Sequence, residues 1–327
     1  MSNTASYYNN DSDENVSRND VLSFYSKAAI TAQKKLCCPK QYDLTDLSHI
    51  PEEVMEISYG CGSPVEQAGL REGEVMLDLG SGGGIDCFIA AKHVGRTGRV
   101  YGIDMTEEML SVARKNAALV TKNLGFNNIE FKQGFLEAIP IDTVSVDLVT
   151  SNCVINLSTK KNDVFKEIYR ILKPGGRFLI ADIISERKVP EKMKNNKELW
   201  GECVSGALTI NEFLDHAKNN NFKGLRIQKD YLWKEIEGIK FYSFIIEGFK
   251  CMPDKDIADC KPVFVTYVGP FESVTFQKTV FPMSAPVKID KNAAELLSLH
   301  SYAGQFIITD PEMKQNEKTN SESSCCD

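Results

Sequence analysis

Val75-Met76-Leu77-Asp78-Leu79-Gly80-Ser81-Gly82-Gly83-Gly84 decides how this chain folds. An apolar run that ends in glycines reads as a buried strand entering a tight turn. The residues that follow, GIDCFIAAKHV over 84–94, carry a helical pattern. The unit is therefore strand, glycine turn, helix, and the same alternation continues downstream. RVYGID (99–104) is a second strand. Thr106 is placed to cap a helix through MTEEMLSVARKNAALV, whose first turn carries acids. NIEFKQG (128–134) and VDLVTSNC (146–153) are the third and fourth strands. A helix over 160–172 puts Val164, Phe165, Ile168, Ile171 and Leu172 on one face. KPGG (173–176) reads as a turn, and GRFLIADI (176–183) as the fifth strand. Such alternation requires a mainly parallel sheet with helices on both faces.

Beyond residue 190 the pattern changes. Residues 190–222 read as interrupted helix, and LRIQKDYL (225–232) and FYSFIIEGFK (241–250) read as two strands with a short link. Strands joined without a crossover helix must be antiparallel. The expected fold is α/β: a doubly wound, Rossmann-like sheet, mainly parallel with an antiparallel last strand. A small C-terminal α+β unit follows, with β-like segments PVFVTYVGP and VTFQKTVFP. The organisation read from the sequence is a disordered leader over 1–18, an N-terminal cap over 19–74, a main domain over 75–251, a small module over 252–310 and a disordered tail over 311–327. In the cap, NDVLSFYSKAAITAQ is helical with Val21, Leu22, Tyr25 and Ala29 at helical spacing, and CCPK breaks it.

Composition excludes several classes. The chain has 327 residues, 42% hydrophobic and 25% charged, which suits a globular protein of about two domains. A net charge of −7 argues against binding nucleic acid or an anionic membrane. No apolar run reaches the ~20 residues that span a bilayer. The polar, acidic start is not a secretory signal, so the expected location is the cytoplasm. Ten cysteines are many for that compartment, where thiols stay mostly reduced and a disulfide framework is not expected. They lack the repeated C-x-x-C spacing of a zinc ribbon. Two adjacent pairs stand out, Cys37–Cys38 and Cys325–Cys326. The second is followed by aspartate, which is not a C-a-a-X prenylation signal. The four histidines are dispersed and suggest neither a metal site nor a general base.

The glycine turn is a ligand site of a particular kind. Its D-x-G-x-G-x-G pattern lets backbone approach a ligand, and the next helix offers free N–H groups. It lacks the G-K-[ST] ending of a P-loop and the G-x-G-x-x-G of a dinucleotide fold. Asp104 closes the second strand about 20 residues on, where doubly wound folds place an acid on ribose hydroxyls. The plainer reading is an aspartate capping the next helix. Cys153 ends the fourth strand in SNCVINL, where an open sheet binds its ligand, and Cys61 in SYGCGSP and Cys203 in WGECVSGAL lie in segments unlike ordinary core. Free cysteine often only fills space, and that reading is favoured for Cys87 on the first helix. Cys251 and Cys260 carry no signal. Tyr59 beside its glycine more often packs than binds.

Over about 75–250 the chain resembles the class I S-adenosylmethionine methyltransferases. That resemblance implies Gly80, Gly82 and Gly84 against the cofactor's amino-acid part, Asp104 against its ribose, and Gly134 and Phe135 on its adenine side. Asp78, Ser81, Met105 and Asn152 complete the expected cofactor set. The D/N-P-P-Y motif of DNA amino-methyltransferases is absent after the fourth strand. In order along the chain, YGCGSPV, LDLGSGGGIDCF, GIDM, SNCVINLS, LKPGG and WGECVSGAL resemble the arsenite methyltransferase family. CCP near 37, and YVGPFESV and SYAGQF near the end, extend the likeness. It implies As(III) held by Cys61, Cys153 and Cys203, with Cys37 or Cys38 as redox partner. The implied substrate is arsenite or methylarsenite as a thiol adduct, and the implied reductant is glutathione or thioredoxin. Two other readings compete: a carbon- or oxygen-methyltransferase for a small organic molecule, and a thiol protein that sequesters metalloids without turnover.

Overall fold

The computed structural model describes residues 18–30, 47–56, 59–250, 263–269, 272–276, 279–289, 294, 297 and 304–309. In chain order, the first unit, residues 1–250, contains α1 (Arg18–Ile30), α2 (Glu52–Glu56), α3 (Pro64–Gln67), β1 (Val75–Leu79), α4 (Ile85–Val94), β2 (Arg99–Asp104), α5 (Glu107–Leu124), β3 (Ile129–Gln133) and β4 (Val146–Asn152). Then come α6 (Lys161–Ile171), β5 (Leu172–Ser185), α7 (Glu191–Lys194), α8 (Lys197–Gly201), β6 (Leu208–Thr209), α9 (Ile210–Asn219), β7 (Phe222–Ile236) and β8 (Ile239–Lys250). The sheet order is β3-β2-β1-β4-β5-β8-β7, with the short β6 beside β5. Pairings among β1 to β5 are parallel, and β8 runs antiparallel to both β5 and β7. This is the doubly wound sheet with antiparallel closure that the sequence implied.

Strand periodicity divides the core into two layers, because successive side chains point to opposite faces. Met76 and Leu148 join one cluster with Phe88 and Leu110 from α4 and α5. Leu77 and Val149 join the other with Phe165 and Phe213 from α6 and α9. Phe165 lies edge-on to Phe213, Phe178 and Phe222, at centroid distances of 5.2, 6.0 and 6.4 Å. Full burial of such a ring stabilises the fold by about 1.5–3 kcal/mol. The β7–β8 hairpin turns on two residues, Glu237 (φ 50°) and Gly238 (φ 71°), the positive φ pair that tight hairpins require.

Two local expectations change. KPGG is not a turn ahead of the fifth strand. Pairing already begins at Leu172, opposite Val146, and resumes at Arg177 opposite Leu148. Leu172 is fully buried, so the chain joins the sheet before it loops, and 173–176 bulge out with Gly175 at φ 82°. Thr106 does sit at the N-cap of α5, but its side chain makes no cap bond. Instead its N–H donates to Asp104 Oδ1 at 2.8 Å.

The second unit, Cys251–Asp327, carries β9 (Val263–Tyr267), β10 (Ser273–Phe276), β11 (Thr279–Pro282), β12 (Pro286–Ile289) and β13 (Phe306–Thr309). Strands β12-β9-β13 form an antiparallel sheet and β10-β11 a hairpin, around Val265, Tyr267 and Phe281. Both segments read as β-like lie on these strands. Among the described residues no helix is long and apolar enough to cross a membrane.

Candidate functional site

Beyond the carboxyl ends of β1, β2 and β4 lies a cleft of about 1300 Å³, counting space open to solvent. The glycine turn forms its floor. Gly80 and Ser81 donate their N–H groups to Ile103 O at 2.8 and 2.9 Å, which ties the turn to β2. Gly80 has φ 68°, and a Cβ there would lie 2.5 Å from Val154. Gly82 differs: its φ is 50°, and a Cβ would meet nothing within 4 Å. The first glycine is needed for packing, whereas the second leaves bare backbone on the cleft wall. Ser81 Oγ is buried there with no hydrogen-bond partner among the described residues.

All the residues read as cofactor-binding line this cleft: Asp78, Gly80, Ser81, Gly82, Gly84, Asp104, Met105, Gly134, Phe135 and Asn152. Their local roles differ. Asp78 accepts a 2.7 Å bond from Thr150 Oγ1, and burial, then the nearby Asp86, pushes its carboxyl well above the usual range. It therefore clasps β1 to β4. Asp104 accepts from Gly82 N at 2.9 Å as well as from Thr106 N. Burial raises its pKa, and these bonds to the charged form oppose the rise. Asp104 thus meets the helix-start reading and also fixes the glycine turn. Phe135 lies under the Arg18 guanidinium, 4.5 Å from its ring centre, and Arg18 pairs with Glu137 at 3.4 Å. Arg18 and Tyr25 therefore bring α1 onto the cleft, a contribution absent from the sequence reading.

Three of the cysteines lie on or just behind the cleft wall. Cys153 and Cys203 line the cleft and are nearly buried, at 8% and 4% exposure. Both have left-handed backbone, φ 60° and 61°. The Cys203 thiol donates to Cys153 O at 2.7 Å. Burial, then Asp182, pushes that thiol's pKa well up. Cys61 is fully buried and lies behind Cys153 rather than on the cleft wall. Its sulfur is joined to that of Cys153 in a disulfide with Cα atoms 5.9 Å apart. The composition pointed to free thiols. The fold brings these two within bonding reach, a proximity that residues 92 apart in sequence do not announce.

Asp182, missed in the sequence, completes the cluster. Its carboxylate and the Cys61 and Cys153 sulfurs lie within 4.8 Å of one another. It accepts from Asn156 Nδ2 at 2.8 Å and Ile183 N at 2.8 Å, and burial raises its pKa to about 7. Lys161, whose pKa burial lowers to about 8, donates to Ser158 O at 2.7 Å nearby. Tyr59 lines the cleft and donates its hydroxyl to Ala28 O at 2.9 Å, so it also anchors α1. Cys87 is buried in the core. Cys37, Cys38, Cys251, Cys260, Cys325 and Cys326 lie outside the described residues.

Residues 70–230 match a protein family described as a methyltransferase domain. The chain is 32% identical to an arsenite methyltransferase of Mus musculus, over 89% of this chain and 83% of that one. It is 37% identical to an arsenite methyltransferase of Aquipseudomonas alcaligenes over 62% of each chain, and so spans less than two thirds of that relative's length. Among solved structures it resembles an arsenic (III) S-adenosylmethionine methyltransferase from Chlamydomonas reinhardtii. The TM-score is 0.63 and the identity 32%, over 81% of this chain and 94% of that one.

Proposed function

Because the chain belongs to the arsenite methyltransferase family, we propose that it moves a methyl group from S-adenosylmethionine to trivalent arsenic held by Cys61, Cys153 and Cys203. The observation that carries this reading is that two cysteines, Cys153 and Cys203, line the glycine-floored cleft, with the Cys203 thiol bonded to Cys153 O and Cys61 joined to Cys153 from behind. The cleft fits the cofactor. It offers exposed backbone at Gly82, the unpartnered Ser81 hydroxyl and the Asp104 carboxylate. When bound, S-adenosylmethionine supplies an electrophilic methyl on a sulfonium sulfur and leaves as S-adenosylhomocysteine.

The chain's own part is to hold and orient. As(III) is soft and prefers thiolate ligands, and three sulfurs leave its lone pair free to attack. With S-adenosylmethionine in the cleft, an As–C bond would form at the expense of its S–CH3 bond, and its sulfur would keep the pair. Arsenic loses no proton, so no general base is required, in keeping with the dispersed histidines. Holding nucleophile and methyl at near-attack distance can remove about 7–11 kcal/mol of a barrier. Transfer raises arsenic formally from III to V. Two thiols return two electrons by forming one disulfide and releasing two protons, and glutathione or thioredoxin then reopens it. In this reading the same reductant opens Cys61–Cys153 before arsenic binds, and a reducing compartment such as the cytoplasm suits that cycle.

Incubation with S-adenosylmethionine, arsenite and thiol tests the reading. Reduced protein is expected to yield methylarsenic and S-adenosylhomocysteine, and protein kept without reductant is expected to yield neither. Methylation of a quinone in place of arsenite would overturn it. Cys37 and Cys38 belong to the redox half of the cycle in this reading. A Cys37→Ser, Cys38→Ser double variant is expected to keep methylarsenite binding and its first turnover on arsenite, then stall with thioredoxin as reductant. Steady-state rates equal to those of the parent protein would remove the pair from the mechanism.

A further inference from the structure

Cys61 belongs to no helix or strand, yet its backbone is held on both sides. Its N–H donates to Asn152 Oδ1 at 3.0 Å. Its carbonyl accepts two hydroxyls, Tyr231 at 2.9 Å and Ser243 at 2.7 Å. Asn152 Nδ2 also donates to Gly62 O at 2.8 Å. The flanking glycines are there because the loop is pressed flat. A Cβ on Gly60 would lie 2.6 Å from the Asn152 side chain, and one on Gly62 would lie 2.9 Å from Ala181 Cβ. Satisfying a buried carbonyl needs one donor. Here a second arrives from the neighbouring strand, so both lone pairs are taken and the peptide has little rotational freedom. The two hydroxyls come from β7 and β8, the antiparallel pair that ends the sheet, 170 and 182 residues away in sequence.

We infer that Tyr231 and Ser243 are positioning residues that hold Cys61 as the third sulfur for arsenic, and so determine acceptance of arsenite over methylarsenite. This rests on the three-thiol reading above. Arsenite has three positions open to thiols and methylarsenite has two, so a loosened Cys61 penalises the first substrate selectively. Without the hydroxyls the Cys61 backbone loses both donors to its carbonyl and keeps its Asn152 bonds, and its sulfur spends less time beside Cys153.

The test is the rate at which iodoacetamide alkylates the reduced protein through the openings that expose these buried thiols, with and without arsenite, read cysteine by cysteine by mass spectrometry. In the parent protein arsenite is expected to protect Cys61, Cys153 and Cys203. If it protects none of them, the arsenic site itself is wrong, which is a separate failure. In Tyr231→Phe, Ser243→Ala, protection of Cys61 is expected to fall about tenfold, as for two lost hydrogen bonds. Cys153, Cys203 and the affinity for S-adenosylhomocysteine are expected to hold, and kcat/KM to fall for arsenite far more than for methylarsenite. Equal loss at all three cysteines would mean that the hydroxyls merely support the fold and would overturn the inference. So would undiminished protection of Cys61. Tyr231→Phe alone removes a single oxygen, and gives the same readout at smaller amplitude if the double variant does not fold.

Discussion

Cys153→Ser and Cys203→Ser are each expected to lower kcat/KM for arsenite on the order of a thousandfold or more, since serine offers a hard oxygen that matches As(III) poorly. Cofactor binding is expected to survive, because Asp104 and the glycine turn are untouched. The structure separates the two variants. Serine at 203 still carries a hydroxyl that can donate to Cys153 O, the acceptor of the Cys203 thiol at 2.7 Å in the parent protein. Serine at 153 also removes the disulfide with Cys61 and leaves that thiol free. Cys61→Ser is expected to be milder on methylarsenite than on arsenite. Near-normal turnover on both substrates by either the 153 or the 203 variant would sink the three-thiol site. The measurement is product arsenic species against time, paired with calorimetric titration of S-adenosylhomocysteine.

Asp104→Ala is the second large effect, on the cofactor rather than on arsenic. Losing a hydrogen bond to a charged acceptor costs about 1.5–3 kcal/mol, roughly ten- to 150-fold in dissociation constant. The alanine also leaves Gly82 N–H and Thr106 N–H without their acceptor. Part of the loss therefore arises from a looser glycine turn. The β1 and β2 pairing does not involve the carboxylate, so the fold is expected to stand. A dissociation constant for S-adenosylhomocysteine equal to that of the parent would remove Asp104 from the cofactor site.

The order of strands and helices was legible because each element carries its own periodicity: apolar runs at β1 and β4, a one-sided stripe on α6, and glycine at the turn after β1. The antiparallel end of the sheet followed from the shortness of one link. The bulge at 173–176 was not legible, since KPGG carries the same chemistry whether it ends a helix or interrupts a strand. Only the pairing of Leu172 with Val146 decides between them. Likewise the cleft residues could be placed from strand ends, because an open sheet presents its ligand there. Asp182, Tyr231 and Ser243 could not. They lie on strands whose local pattern reports burial alone, and their meaning comes from contact with a loop more than a hundred residues earlier. Asp86 had a signal, an acid in the first turn of the helix that leaves the glycine turn, and it lines the cleft.

Cys153 and Cys203 share the left-handed backbone that side chains avoid, at roughly 1–2 kcal/mol per residue. Local persistence and chemical usefulness thus pull in opposite directions at these two positions. In a mutagenised population screened only for resistance to heat, glycine and asparagine, which tolerate that backbone, have a head start there. In one screened for growth on arsenic, cysteine has to be retained against that drift. The two sulfur-bearing corners are therefore where the two selections are expected to diverge.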